Sequence, residues 1–350
     1  MMNQSRKTMV FGLTTALAMF VCAGAFQAAS LRVTTAEGWV IFDPSLKNES
    51  YRYGPSIIIN KDKSIDIWFA SPGGQGEDGT GQWDWIRHKR SVDGGKSWGT
   101  ESVVLKPTEK SFDQMSVCDP GVIRFGGFYY LGVTAVDNGP GVRNQIFVAR
   151  SKSPTGPYEK WNGAGWGQNP VPLIAFTEPK DSWGAGEPSF VIKGADLFIY
   201  YTWLVNVNPG GATLAQTRVA VAPARDPNWP GKLTHKGLVW ERIEGEDSAD
   251  VKYIPEYKTF IALSTASRMG PQAHVVYRTS EDGVRWSKPS TLYTNVLPWC
   301  HNAGISAREN GQIDLNDHNF ISYAYSRDAG VNWGFWHTLL NPIAIIRSSD

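Results

Sequence analysis

One stretch constrains the fold of this chain more than any other: Cys118-Asp119-Pro120-Gly121-Val122-Ile123-Arg124-Phe125-Gly126-Gly127-Phe128-Tyr129-Tyr130-Leu131. A carboxylate and a proline open an apolar run, two glycines turn it, and it returns as an aromatic run, the pattern of a buried β-hairpin. It recurs. Glu187-Pro188-Ser189-Phe190-Val191-Ile192 turns at Lys193-Gly194 and returns through Leu197-Phe198-Ile199-Tyr200-Tyr201. Gly54-Pro55-Ser56-Ile57-Ile58-Ile59 turns at Asn60-Lys61 and returns through Ile65-Asp66-Ile67-Trp68-Phe69. Fainter copies begin at Ser248-Ala249-Asp250-Val251-Lys252-Tyr253 and His301-Asn302-Ala303-Gly304-Ile305. Aligned on Pro55, Pro120, Pro188, Val251 and Ala303, the copies are 65, 68, 63 and 52 residues apart.

A second marker keeps step with the first. Residues 91–98 and 326–333 both read Ser-x-Asp-x-Gly-x-x-Trp, and 280–286 is the same turn one residue shorter. Residues 153–157 leading to Trp161, and 225–229 ending at Trp229, hold the equivalent places. The tryptophans follow their alignment points by 43, 41, 41, 35 and 30 residues. No segment carries a sustained helical apolar period, so the chain reads as all-β. Five units of about four strands predict a five-bladed β-propeller with four-stranded antiparallel blades, starting near 54, 119, 187, 250 and 302. The Asp and Ser of the marker suit a turn's backbone N–H groups, and its Trp suits packing on the sheet. The marker is therefore expected to pin the hairpin between a blade's outer strands and to be structural.

Arg6 and Lys7 precede an apolar run from about Met9 to Phe26, with Ala23-Gly24-Ala25 as a small-residue cleavage site. Residues 1–25 are expected to be a signal peptide and 26–350 one propeller domain, in a secreted or periplasmic protein. Beyond Cys22 only Cys118 and Cys300 remain, too few for a disulfide framework, and two free thiols are expected rather than a bridge. The net charge of +1 with no cluster of Lys and Arg argues against nucleic acid as a partner, and no second apolar run argues for a membrane role after signal cleavage. A monomer is expected. Aromatic residues make up 12% of the chain and include 15 Trp, which suits either sugar-stacking platforms or the wedges between blades.

In a propeller the innermost strands line the axis, so the starts of the five repeats ring one mouth of the channel. That ring is expected to hold Arg52, Tyr53, Gly54, Asp119, Glu187, Asp250, His301 and Asn302. Carboxylates sharing one cavity raise one another's pKa, and one of them then keeps a proton near neutrality. A proton donor beside an ionised carboxylate is what glycosidic cleavage requires. Trp83, Arg143, Asn144, Trp183, Arg268 and Trp299 fall on the expected mouth loops and are candidate sugar contacts.

Asp119-Pro120, Glu187-Pro188, Gly126-Gly127-Phe128-Tyr129-Tyr130-Leu131 and Ser153-Pro154-Thr155-Gly156-Pro157 resemble the five-bladed glycoside hydrolases of the furanosidase superfamily, families 32, 43 and 68. The resemblance spans essentially the whole chain after the signal. It implies a transition-state stabiliser at Asp119 and the acid/base at Glu187, acting on an oligosaccharide or polysaccharide. It also implies a His near a bound calcium on the axis, which points to His301, followed by Glu309-Asn310-Gly311; no cofactor is required beyond that structural ion. These families carry an Asp at the first mouth, where this chain has Gly54. Asp250, Asp84 or Asp78 is expected to take the missing role, with Asp250 setting the pKa values of Asp119 and Glu187. Two alternatives follow from Gly54 and its neighbours: a non-catalytic glycan-binding propeller, and, since the Ser-x-Asp-x-Gly-x-x-Trp turns are similar to the Asp-box turns of sialidases, an enzyme using Arg52 to hold a substrate carboxylate. A protein-interaction scaffold is a third, and it requires no convergence of carboxylates.

Overall fold

Each repeat becomes one blade, and its proline-led run becomes the strand nearest the axis. A computed structural model describes residues 31–43, 51–74, 81–137, 143–178, 182–206, 213–243, 245–292, 295–328 and 333–348. The expected signal peptide, residues 1–25, and Asp78 lie outside these residues. Two strands, β1 (Leu31–Thr35) and β2 (Trp39–Phe42), precede the first blade. Blade 1 is β3 (Tyr53–Ile59), β4 (Ile65–Pro72), β5 (Asp84–Ser91) and β6 (Ser102–Leu105). Blade 2 is β7 (Ser116–Phe125), β8 (Phe128–Val136), β9 (Gln145–Ser151) and β10 (Glu159–Trp161), with the short β11 (Trp166–Gly167) at its rim. Blade 3 is β12 (Gly184–Lys193), β13 (Asp196–Asn206), β14 (Thr213–Pro223) and β15 (Thr234–Glu241). Blade 4 is β16 (Ala249–Ile254), β17 (Thr259–Ala266), β18 (His274–Ser280) and β19 (Ser290–Leu292). All pair antiparallel in sequence order. Blade 5 has only three strands of its own, β20 (Cys300–Ile305), β21 (Phe320–Tyr325) and β22 (His337–Arg347). Its outer strand is β1, paired from Leu31↔Arg347 to Thr35↔Ile343, and β2 continues the same edge at Trp39↔Leu340. The repeat pattern, which begins at residue 54, gave no sign of this N-terminal closure.

Five apolar clusters fill the five wedges between neighbouring blades. Trp68, Leu131 and Phe147 lie between blades 1 and 2. Tyr130, Phe190 and Trp229 lie between blades 2 and 3, and Val219, Val251 and Phe260 between 3 and 4. Val275, Ile305 and Tyr323 join blades 4 and 5, and Ile57, Ile67, Phe320 and Leu340 join 5 and 1. Trp68, Trp85, Trp229 and Trp336 are fully buried, so much of the tryptophan surplus is wedge filling. Both cysteines are free thiols. Among the described residues no helix is long and apolar enough to cross a membrane.

The marker turns close the outer hairpins at the end of each blade away from the mouth. Ser91 Oγ accepts from Gly95 N at 2.8 Å, Asp93 Oδ1 accepts from Ser97 N at 2.9 Å, and Trp98 Nε1 donates to Gly95 O at 3.0 Å. Asp282 Oδ1 likewise accepts from Val284 N and Arg285 N, and Trp286 Nε1 donates to Gly283 O. The fifth copy differs. Because β1 supplies the outer strand of blade 5, the copy ending at Trp333 joins β21 to β22, the second and third strands, and so lies at the mouth.

The far end of the axis is closed by the segment after β20. Ala307 O accepts from Ile59 N, Glu309 O from Arg124 N, Asn310 O from Ile192 N and Gly311 O from Tyr253 N, at 2.6 to 3.1 Å. One short segment of blade 5 thus bonds the innermost strand of every other blade, satisfying N–H groups that face the channel rather than a paired strand. Glu309-Asn310-Gly311, expected beside an axial calcium, is this plug.

Candidate active site

Four of the five innermost strands begin with the same irregularity. β3, β7, β12 and β20 each carry a β-bulge near their start, at Tyr53/Ser56, Cys118/Gly121, Gly186/Ser189 and His301/Gly304. The bulged residue is left-handed in every case: Gly54 at φ 63°, Asp119 at 47°, Glu187 at 54° and Asn302 at 44°. A non-glycine residue held there is strained, and the bulge turns its side chain off the strand face toward the mouth. Together these strand starts line one pocket on the axis: Gly54, Asp119, Glu187, Ser248, Asn302 and the one or two residues that follow each of them. Gly54 is shaped by its neighbour. A Cβ there would stand 3.3 Å from both Cα and Oδ1 of Asp119, so Asp119 crowds the place where a first-blade side chain would begin.

Blade 4 has no bulge, and its register corrects one expectation. In blades 1 and 3 the side chain one residue past the mouth proline accepts from the next blade: Ser56 Oγ from Val122 N at 3.0 Å and Ser189 Oγ from Val251 N at 2.8 Å. Asp250 Oδ2 does the same for Ile305 N at 2.8 Å. Asp250 is therefore the counterpart of Ser56 and Ser189, one step down the channel from the mouth position held by Ser248. Its other oxygen takes Lys252 Nζ at 2.5 Å and Ser189 Oγ at 2.7 Å. Asp250 lines the pocket, but it is spent on joining blades.

The third mouth carboxylate is Asp247, which the sequence pattern did not single out. It is fully buried, pairs with Arg268 Nη1 at 2.7 Å, touches His301 Nδ1, and accepts from Asn302 N at 3.1 Å. Burial alone would raise its pKa, but His301 and Arg268 hold its carboxyl well below the usual carboxylate range. The adjacent Glu246 fixes the loop: it takes both Arg278 Nη1 and Nη2, and Ile243 N at 2.9 Å.

Glu187 meets Asp247 carboxyl to carboxyl. Its Oε2 accepts from Thr202 Oγ1 and lies 3.4 Å from Arg242 Nη2; its Oε1 lies 3.5 Å from Asn302 Nδ2. Burial first, then the negative charge of Asp247, push its pKa up to about 8, against the pull of Arg242. Asp119 accepts from Cys118 Sγ at 3.3 Å. Burial, and then the charges of Asp247 and Asp84, raise it to about 7, although the Cys118 and Thr134 hydrogen bonds oppose the shift. Arg242, Thr134 and Thr202 come from strands and loops with no sequence marker, and only the fold brings them to Glu187.

The remaining candidates divide clearly. Tyr53 is buried, stacks on His301 at 5.9 Å and reaches Asp84 through its hydroxyl at 3.4 Å. Asp84 is buried beneath Tyr51, Tyr53 and Ser116, which all donate to it, and so is not the absent first-blade carboxylate. Arg268 and Asn302 belong to the site through Asp247 and Glu187. Arg143 is half-buried beside Asn144, whose backbone joins the strand start at Trp183. Trp83, Trp183 and Trp299 are all at the mouth, with Trp83 the most exposed. Arg52 does not fit its expected role. It is buried under the Phe42 ring and donates to Glu101 through Nη2 at 2.6 Å and Nε at 3.2 Å, which commits the guanidinium before any substrate arrives. His301 is likewise no metal ligand: Tyr53, Trp333 and Trp336 surround its ring, burial lowers its pKa, and Nδ1 faces Asp247. Among the described residues no three His, Cys, Asp or Glu side chains form a metal-binding group, and the aromatic box around His301 does not suit a calcium ion.

No protein-family model matches the sequence, and no curated protein matches it. Solved structures do match. Zg3597, a family 117 glycoside hydrolase produced by the marine bacterium Zobellia galactanivorans, is 17% identical, with 90% of each chain covered and a TM-score of 0.62. The endo-arabinase from Bacteroides thetaiotaomicron is 17% identical over 86% of this chain and 96% of that one, at a TM-score of 0.56. The α-L-arabinofuranosidase PaAbf62A from Podospora anserina, solved in complex with cellotriose, is 12% identical over 89% and 96%, at 0.58. At these identities the likeness is one of fold, and over nearly the whole of each chain the fold is the five-bladed propeller described above.

Proposed function

We propose that this protein is a secreted glycoside hydrolase that cleaves an oligosaccharide or polysaccharide in the axial pocket, with Glu187 as general acid and Asp119 as base or nucleophile. The observation that carries this reading is the convergence of Asp119, Glu187 and Asp247 on one mouth, where burial and Asp247 together raise Glu187 to about 8. A carboxylic acid that keeps its proton at neutral pH can protonate a leaving oxygen. Asp247 is not the second acting group. It touches Glu187, whereas acting carboxyls stand about 5 to 9.5 Å apart so that a sugar fits between them. It is instead the fixed negative charge that holds the proton on Glu187, the role first expected of Asp250. The fold shared with glycosidases and arabinan-cleaving enzymes supports a glycan substrate, and the N-terminal segment of the sequence supports export.

The test is turnover on aryl glycosides and on plant and algal polysaccharides. Glu187→Gln and Asp119→Asn are each expected to lower kcat by about 10²- to 10⁴-fold. On an aryl glycoside with an activated leaving group Glu187→Gln recovers much of the loss, because such a group leaves without a proton. Gly54 favours a second reading, a propeller that binds glycan without cleaving it. Binding by wild type with no product after prolonged incubation would decide for that reading.

A further inference from the structure

Trp333 belongs to a turn whose sequence places it on the outer rim, yet it sits at the mouth. Tyr53, His301 and Trp336 form a short stack, with Tyr53–His301 at 5.9 Å and 30° and His301–Trp336 at 5.0 Å and 37°. Trp333 stands across all three, at 5.4 Å and 81° to Tyr53, 5.5 Å and 71° to His301, and 5.5 Å and 77° to Trp336. Trp333 therefore packs edge-to-face within this aromatic group. It is nevertheless 40% exposed, so part of the indole remains open to the mouth. The position is fixed relative to the chemistry, because the His301 beneath it touches Asp247 and Asp247 touches Glu187.

We infer that Trp333 is a sugar-stacking platform at the blade 5 side of the pocket, holding the saccharide residue next to the bond that is cut. A partly exposed indole held by three packed rings suits the apolar C–H face of a sugar ring and gives up little conformational entropy on binding. Trp83 joins the same aromatic group through Tyr51. Its carbonyl accepts from Tyr51, whose ring tilts on Tyr53 at 5.5 Å, and it too is 40% exposed. The pair gives a chain of sugars a track across the start of blade 1. This inference rests on the glycan reading of the pocket, not on catalysis.

The experiment separates the two. In a Glu187→Gln background, binding of soluble arabinan, xylan and carrageenan is followed by affinity gel electrophoresis and by the shift in tryptophan emission. For whichever polysaccharide is retarded, Trp333→Ala is expected to weaken binding about 10-fold or more, and Trp333→Phe to retain most of it. With Glu187 restored, Trp333→Ala is expected to raise KM on the polysaccharide. Trp333→Phe, which keeps a ring on the stack, guards against loss of the fold, and thermal melts of both variants report it. Undiminished binding by a folded Trp333→Ala variant overturns the platform and leaves the hydrolase reading standing. A wild type that binds through Trp333 but releases no sugar overturns the hydrolase reading and leaves the platform. Retardation of none of the three polysaccharides overturns the platform.

Discussion

At the scale of single residues, the mouth carries a conflict between stability and chemistry, and pH exposes it. Glu187 and Asp119 keep their protons to about 8 and about 7, against ordinary values of 4.5 and 3.8. Between about pH 4 and 8 the folded chain therefore holds protons that the unfolded chain has released, and its stability falls as pH rises through that window. Glu187→Gln and Asp119→Asn remove the group that ionises unfavourably. Each variant is expected to melt above wild type at pH 8 and to match it at pH 4, even as activity is lost. Wild-type melts higher than both variants at pH 8 would contradict burial as the cause of the raised values. Under the proposed roles, activity needs Asp119 ionised and Glu187 protonated, so the rate is expected to peak between about pH 7 and 8, falling on the acid side with Asp119 and on the alkaline side with Glu187. Asp247→Asn takes away the charge that holds the Glu187 proton. Its alkaline limb is expected to move to lower pH, and an unmoved limb would assign the shift to burial alone.

At the scale of the element, the sequence carried the strands and most of the mouth, and what it hid follows from how strands repeat. Asp119 and Glu187 were legible because a proline follows each and pins the register. The innermost strand of blade 4 has no proline, and in a strand a slip of two residues returns every side chain to its own face. Asp250 and Ser248 were therefore interchangeable on apolar pattern alone, and Asp247, outside the strand, had no pattern to show it. Arg52 misled for a related reason: alternation fixes that Tyr53 and Arg52 point oppositely, not which one faces the axis. The plug was invisible because its hydrogen bonds are made by backbone, whose donors and acceptors are the same whatever the residue. One position in it is sensitive to side chain. Gly311 has φ 77°, and a Cβ there would lie 2.8 Å from Phe190 O and 2.9 Å from Val191 Cα, both backbone atoms that cannot swing aside. Gly311→Val is expected to destabilise by about 3 kcal/mol, read from urea unfolding, with Asn310→Ala as a milder change in the same turn. Equal midpoints for the two variants would mean that the segment does not hold the blades.

At the scale of the whole molecule, a propeller is a ring that must be closed, and here one short segment closes it across two wedges. On one side Leu31 and Val33 of β1 are buried with Val275 and Leu292 of blade 4. On the other, Trp39 of β2 packs with Phe320 and Ile67, and its Nε1 donates to Gly95 O of blade 1 at 2.8 Å. The seam matters to the site, because Tyr53 and Asp119 come from blades 1 and 2, while His301, Asn302 and Trp333 come from blade 5. Val33→Asp puts a carboxylate into the apolar cluster that joins blades 4 and 5. The expected loss is about 3 kcal/mol of unfolding free energy. Leu238→Asp, on the outer strand of blade 3 and 45% exposed, makes the same chemical change away from the seam and should cost little. If the first and last strands complete one ring, Val33→Asp should lower the midpoints followed by tryptophan emission, which reports side-chain packing in the wedges and at the mouth, and by far-ultraviolet circular dichroism, which reports the strands of all five blades, and the two should fall together. Separate midpoints, with side-chain packing lost before the strands, would show that blade 5 opens from a ring of four blades that stands without it.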